Sequence, residues 1–279
     1  MSEPVARIEA SQSPWPEQAP VELTVVVPTF NERGNVSRLV EALDQALLDI
    51  SWEVIFVDDD SPDETARAVI DLAARDPRVR CLHRIGRRGL STACIEGMLA
   101  SCAPYLAVID GDLQHDETKL PDMLALLRAD ECEIVVGSRY VDGGGIGEWD
   151  SERASQSRFA TSVAKRVLKA DLSDPMSGFF MLKREVLEKT VRRLSGIGFK
   201  ILFDIFASAP EKLRFREVPY TFRTRSEGES KMDTQAVWDY GMLILDKLVG
   251  RYVPVRFVAF TMVGGVGVGV HLAVVAALY

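Results

Sequence analysis

From Leu23 onward, short runs of apolar and β-branched residues alternate with stretches whose apolar positions recur every three or four residues. The first kind reads as buried strand and the second as amphipathic helix. Strands are predicted at Leu23–Val27, Val54–Val57, Val79–Leu82, Tyr105–Ile109 and Ile134–Val136. Helices are predicted at Val36–Leu48, with Val36, Leu39, Val40, Leu43 and Leu47 on one face, and at Glu64–Ala74, Ser91–Ala100 and Leu120–Leu127. Strand and helix in strict alternation predict an α/β fold, a mostly parallel sheet flanked by helices. Ligands of such sheets bind beyond the carboxyl ends of the strands. Three of these ends carry unusual residues: Pro28–Glu32, Asp58–Asp60 and Asp110–Gln114.

Hydropathy divides the rest of the chain. Residues 1–21 contain four prolines and scattered glutamates and read as a flexible tail, without the basic and apolar layout of a signal peptide. Residues 22–232 are expected to form the main domain, which would carry any catalytic site, and 233–256 mix Trp238, Tyr240, Leu243 and Leu248 with Asp239, Asp246, Lys247 and Arg251, as an interfacial amphipathic helix or a helix packed on the core would. Residues 257–279 carry no formal charge, enough to span a bilayer, and Gly265 and Gly269 suit close packing of membrane helices. This last stretch has no polar flank after it, which leaves open a chain that ends in the membrane or one that continues into a larger membrane domain.

With 279 residues, 47% of them hydrophobic, the chain can bury a sizeable core. A net charge of -8 argues against a nucleic-acid partner, which would require a broad basic surface. Cys81, Cys94, Cys102 and Cys132 lack metal-ligand spacing and suit a reducing compartment. Lys247, Arg251 and Arg256 beside the apolar stretch place that flank on the cytoplasmic side. The expected location is therefore the cell membrane, with the catalytic domain on its cytoplasmic face. Self-association is compatible with the sequence.

In an extended chain Asp110, Asp112 and Gln114 project to one side, giving three oxygen ligands after a buried strand. Mg²⁺ or Mn²⁺ takes one or two carboxylates and completes its shell with diphosphate oxygens and water. Gly111 lets a nucleotide approach the backbone. Asp58 and Asp59 reach the same edge, where base or ribose donors would relieve their repulsion, while Asp60–Asp63 can also cap the following helix.

Seven ordered segments carry a resemblance: Val27–Glu32, Val57–Thr65, Gly89–Ala93, Asp110–His115, Gly137–Tyr140, Ser177–Phe179 and Gly228–Lys231. Together they resemble the family 2 glycosyltransferases, and within them the dolichol-phosphate mannose synthase branch, over roughly residues 22 to 250. The resemblance implies the nucleotide-sugar glycosyltransferase A-type fold. It also implies donor contacts from Pro28, Phe30, Glu32, Asp58 or Asp59, and metal at Asp110, Asp112 and Gln114. Phe30 stands where the family often has Tyr, and Asp60 and Glu64 where it often has Gly. Asp204 lies where the family usually has an acidic residue near the sugar.

A phosphate acceptor is already largely ionised at neutral pH, so cations take the place of a general base. Arg139, Arg153 and Arg225, with Ser157 and Lys231 in support, are the expected acceptor-phosphate residues, in segments where the resemblance places the family's arginines. The expected reaction is an inverting transfer of a hexose, mannose or glucose, from a GDP- or UDP-sugar to a polyprenyl or dolichyl phosphate, with Asp112, Arg139 and Asp204 as catalytic candidates. Other readings are a different acceptor in cell-envelope polysaccharide synthesis, a nucleotidyltransferase, and an inactive nucleotide-sugar-binding scaffold. The first strand runs into Pro28-Thr29-Phe30-Asn31-Glu32, which counts against a Rossmann dehydrogenase. Absence of a Q-x-x-R-W segment counts against a processive synthase.

Overall fold

The computed structural model describes residues 20–145, 168, 170–223, 241–247 and 255–278. Seven strands form one sheet in the order β3-β2-β1-β4-β6-β5-β7. They are β1 (Leu23–Thr29), β2 (Trp52–Asp58), β3 (Val79–His83), β4 (Tyr105–Val108), β5 (Ile134–Ser138), β6 (Phe180–Lys183) and β7 (Phe215–Pro219). The expected strands all form, and every pairing is parallel except those of β6, which runs antiparallel to both β4 and β5.

Side-chain alternation along each strand feeds two cores. Val26, Ile55, Val57, Leu106 and Val108 face one side with α3 (Leu90–Leu99), α5 (Arg184–Thr190) and α6 (Ile201–Ser208). Val25, Val27, Val54, Phe56 and Ala107 face the other with α1 (Val36–Ala46), α2 (Thr65–Ala73) and α4 (Leu120–Arg128). On the first side α3 lies so close that a Cβ at Gly97 would stand 2.4 Å from Val26 Cγ1. Glycine is the residue that permits that approach.

A proline in a central strand ordinarily breaks the ladder. Here it ends one. The Ile109 N–H donates to the Val26 carbonyl at 3.1 Å, and β1 and β4 pair no further than Val26 with Val108. The next rung on that side would need an N–H at position 28, which Pro28 lacks. On its other edge β1 stays paired through Thr29 with Asp58. The chain after β4 therefore leaves the sheet while β1 and β2 continue, and Asp110 follows at that departure.

Residues 241–247 are helical and packed on the core, with Leu243 fully buried among the α6-side residues. Of the two roles open to residues 233–256, this stretch takes core packing. Lys247 is not a free flanking charge, because it forms a buried ion pair with Asp204. The helix α7 (Val255–Leu278) runs for 24 residues. Its side chains are described without a break over 263–278, and among the described residues no helix is long and apolar enough to cross a membrane.

Candidate active site

The loops after β1 and β2 are tied together by short polar side chains. Asp58 is fully buried and accepts from the Thr29 hydroxyl at 3.1 Å, the Ser61 hydroxyl at 2.6 Å and the Ser61 N–H at 2.9 Å. Ser61 in turn accepts from the Asn31 N–H at 3.0 Å, and Thr65 from the Glu32 N–H at 3.0 Å. Asn31, Asp60 and Glu64 adopt positive φ, so these turns are tight at both strand ends. Glu32 accepts from the Asn35 amide at 2.8 Å, and the Arg88 guanidinium lies 4.3 Å from the centre of the Phe30 ring.

Asp59 joins this edge to the next loop. Its oxygens accept from Arg84 Nη1 at 2.7 Å and the Gly89 N–H at 2.6 Å. Burial raises its pKa, against the opposing pull of the Gly89 N–H and Arg84. The expected donor residues Asp58 and Asp59 thus share one edge with Pro28, Phe30 and Glu32. Their carboxylates are engaged in shaping the loops, which is how buried acidic groups are held.

Asp110 accepts from His115 Nε2 at 3.0 Å, and His115 Nδ1 lies 2.8 Å from the Tyr220 hydroxyl. With a carboxylate facing it, Nε2 carries a proton and donates to Asp110. Phe179, Tyr220 and Phe222 surround the imidazole, with centroid separations of 5.4–5.5 Å. Burial would raise the Asp110 pKa, but the His115 hydrogen bond and the charges of His115, Lys200 and Arg139 outweigh it and hold the carboxyl below the ordinary range. The carboxylate fills space beside Gly178, where a Cβ would stand 2.7 Å from Oδ2. Asp112 Oδ1 accepts from the Gln114 N–H at 3.2 Å, and the Gln114 amide donates to the Arg223 carbonyl at 3.0 Å.

Arg139 lies at the end of β5 and is nearly buried. Its Nε and Nη2 donate to the two oxygens of fully buried Asp174 at 2.7 and 2.8 Å. Burial disfavours the guanidinium charge, yet Asp174 overrides it and raises the pKa. Lys200 precedes α6, with its ammonium 3.4 Å from the Met176 carbonyl and 4.4 Å from the centre of the Phe199 ring. Its pKa is pushed down to about 8, first by burial and then by Arg139. Two carboxylates, Asp110 and Asp174, and two cations, Arg139 and Lys200, from separate elements therefore act on one another here.

Asp204 lies in α6 and is fully buried. One oxygen accepts from the Ser195 N–H, the Ser195 hydroxyl and the Gly196 N–H, and the other from the Ser208 hydroxyl and Lys247. Arg153, Ser157, Arg225 and Lys231 lie outside the described residues. Asp174, Lys200, Arg84 and Tyr220 escaped sequence reasoning. Asp174 had a visible neighbour, since it stands three residues before the quoted Ser177-Gly178-Phe179.

The donor set suits a hard divalent cation bound together with a diphosphate. Asp110 is held ionised, Asp112 is a second carboxylate two residues on, and glycine at 178 gives the first carboxylate its room. Among the described residues no three His, Cys, Asp or Glu side chains form a metal cage. A diphosphate-bridging ion needs only one or two carboxylates from the protein.

Residues 24–191 match the model of "Glycosyl transferase family 2". The dolichol-phosphate mannosyltransferase of Pyrococcus furiosus is 35% identical over 253 residues, covering 90% of this chain and 70% of that one. That of Saccharomyces cerevisiae is 34% identical, covering 79% and 84% respectively. Among solved structures, the glucosyl-3-phosphoglycerate synthase of Mycobacterium tuberculosis, in complex with Mn²⁺, UDP-glucose and phosphoglyceric acid, superposes with a TM-score of 0.61 at 16% identity, over 81% of this chain and 79% of that one. That likeness places the sheet and its helices in the glycosyltransferase A-type fold. With the family match spanning most of the sheet, this chain belongs to glycosyltransferase family 2.

Proposed function

We propose that this chain transfers a hexose, mannose first among them, from a nucleotide sugar to a polyprenyl or dolichyl phosphate at a membrane surface. The observation that carries the reading is the position of Asp110, just past the point where β4 leaves β1 and beside Gly178, within the fields of Arg139 and Lys200. Such a cluster suits a reaction that joins one phosphate to a sugar while releasing another. The dolichol-phosphate mannosyltransferases named above support the choice of mannose and of a lipid acceptor.

In this reading Pro28, Phe30 and Glu32 line the nucleotide pocket, and Asp58 and Asp59 hold its walls through Ser61, Thr29, Arg84 and Gly89. Asp110, Asp112 and Gln114 would hold Mg²⁺ or Mn²⁺, and Gly111 would admit the diphosphate. The ion supplies charge stabilisation on the departing diphosphate. An acceptor phosphate oxygen attacks the anomeric carbon as the bond to the nucleoside diphosphate breaks, and the configuration inverts. Arg139, with Arg153, Ser157, Arg225 and Lys231, orients the acceptor phosphate, and Asp174 fixes the angle of the Arg139 guanidinium. Positioning and fixed charge supply the acceleration.

The helix α7 anchors the domain. The uncharged stretch 257–279 is longer than the run whose side chains are described, and at roughly 1.5 Å per residue it measures about 35 Å against a hydrocarbon core of roughly 30 Å. With Lys247 engaged elsewhere, Arg251 and Arg256 are left to set the cytoplasmic orientation.

Full-length protein in vesicles containing dolichyl phosphate, supplied with Mn²⁺ and either radiolabelled GDP-mannose or UDP-glucose, tests this. Label is expected in a mild-acid-labile lipid. Transfer to water alone with either donor sinks the lipid-acceptor reading.

A further inference from the structure

The mechanism makes no use of Lys247, yet this lysine is one of the most deeply held cations described. It stands eight residues before α7 begins. Its side chain is 8% exposed, and its ammonium lies 2.5 Å from Asp204 Oδ1, 2.8 Å from the Ser208 hydroxyl and 3.1 Å from the Arg193 carbonyl. The other Asp204 oxygen gathers the loop between α5 and α6, accepting from the Ser195 N–H at 2.8 Å, the Ser195 hydroxyl at 2.7 Å and the Gly196 N–H at 3.3 Å. That loop turns through Gly196 and Gly198, both at positive φ, and delivers Lys200 to the Arg139 and Asp110 cluster. It also touches the donor side, because the Gly198 carbonyl accepts from the Ser91 N–H and a Cβ on Gly196 would meet Thr92 Cγ2 at 3.0 Å. Thr92 accepts from Arg84 at 2.6 Å, and Arg84 holds Asp59.

We propose that Asp204 and Lys247 are positioning residues that join the segment leading to α7 to the loop carrying Lys200, so that seating of this segment on the domain sets the active-site loop. Asp204 is fully buried, and a buried charge needs an opposite charge beside it. Lys247 is that cation, and the segment 241–247, pinned also by Leu243, brings it there. Without Lys247 the aspartate is left uncompensated and its hold on Ser195 and Gly196 weakens. The consequence for turnover rests on the function proposed above; the consequence for the loop does not.

The test uses full-length protein and two readouts. Lys247→Met is expected to speed amide hydrogen exchange over residues 194–200 at least tenfold while leaving β1 unchanged. Its kcat for mannosyl transfer should fall about tenfold with the nucleotide-sugar KM within twofold of wild type. In Asp204→Asn/Lys247→Met no buried charge is left alone, so thermal stability should return toward wild type while kcat stays low. This second variant keeps the test decisive if the first does not fold. Unchanged exchange over 194–200 overturns the coupling. Faster exchange with unchanged kcat, or full recovery of kcat in the double variant, overturns the positioning role. A wild-type protein that transfers no sugar to lipid defeats the proposed function, and the exchange readout then decides the coupling by itself.

Discussion

Arg139 and Asp174, 35 residues apart in sequence, meet as a two-pronged ion pair in which both carboxylate oxygens are taken by one guanidinium. The Asp174 backbone is fixed in turn by Glu217, which accepts from the N–H groups of Ser173 and Asp174. Removal of one partner leaves the other charged and buried, a loss of about 3–5 kcal/mol in comparable sites. Asp174→Ala should therefore lower stability by that amount and Arg139→Ala by a similar one, measured by urea unfolding. Asp174→Glu should keep the charge balance but displace the guanidinium, reducing transfer more than stability. Equal stability of wild type and Asp174→Ala would show that the pair contributes nothing to folding.

Asp110→Ala and Asp112→Ala should each reduce transfer by roughly 10²–10³-fold, the scale of losing one electrostatic stabiliser. Folding should persist, since neither side chain belongs to the apolar cores. Chelation of wild type should stop transfer, and added Mn²⁺ should restore it. A Mn²⁺-dependent rise in melting temperature with nucleotide diphosphate, absent in Asp110→Ala, is the matching binding measurement. Full turnover in EDTA would remove the metal from the reaction.

Lys200 gives the pH dependence a definite sign. Its folded pKa is about 8, below the roughly 10.4 of an unfolded lysine. Between those values the unfolded chain binds more protons, so this residue's penalty to stability is complete below about 8 and fades as pH rises toward 10.4. Activity should move the opposite way, with kcat/KM declining above pH 8 as the cation is lost. Lys200→Arg should flatten this alkaline limb. An identical limb in Lys200→Arg would assign it to another group.

Truncations separate anchoring from packing. A chain ending at Gly250 keeps Leu243 and Lys247 seated and should lose firm membrane attachment while still using short, soluble acceptors. A chain ending at Tyr240 also loses the Lys247 partner of Asp204 and should unfold at lower temperature. Membrane retention of the first truncation after a salt wash would exclude α7 as the anchor.

The strands of the first half of the chain were legible because each is a short apolar run between polar helices. β6 was not, since Phe180–Lys183 is only four residues long. Nothing local announces that it runs antiparallel. At the site, Asp58 and Asp59 were visible as unusual acids after a strand, but their partners were not. Arg84 lies 25 residues from Asp59 and Asp174 lies 35 from Arg139, and such pairings depend on which strands become neighbours. Lys247 illustrates the same limit, because a lysine close to an apolar stretch has the composition of a membrane flank whether it meets water or a buried aspartate.

Pro28 deserves to be seen as a wedge. An amino acid with an N–H at that position could offer one more rung to the Ile109 carbonyl and zip β4 further along β1. The acidic residues beyond β4 would be drawn toward the plane of the sheet, and the fork between the two strands would narrow. Pro28→Ala should then yield a protein that is no less stable yet slower, with its loss of rate traceable to a cleft that has partly stitched itself shut. An imino acid in the middle of the sheet thus ends the pairing of β1 with β4 at Val26 and Val108 and keeps open the fork where the proposed substrate would enter.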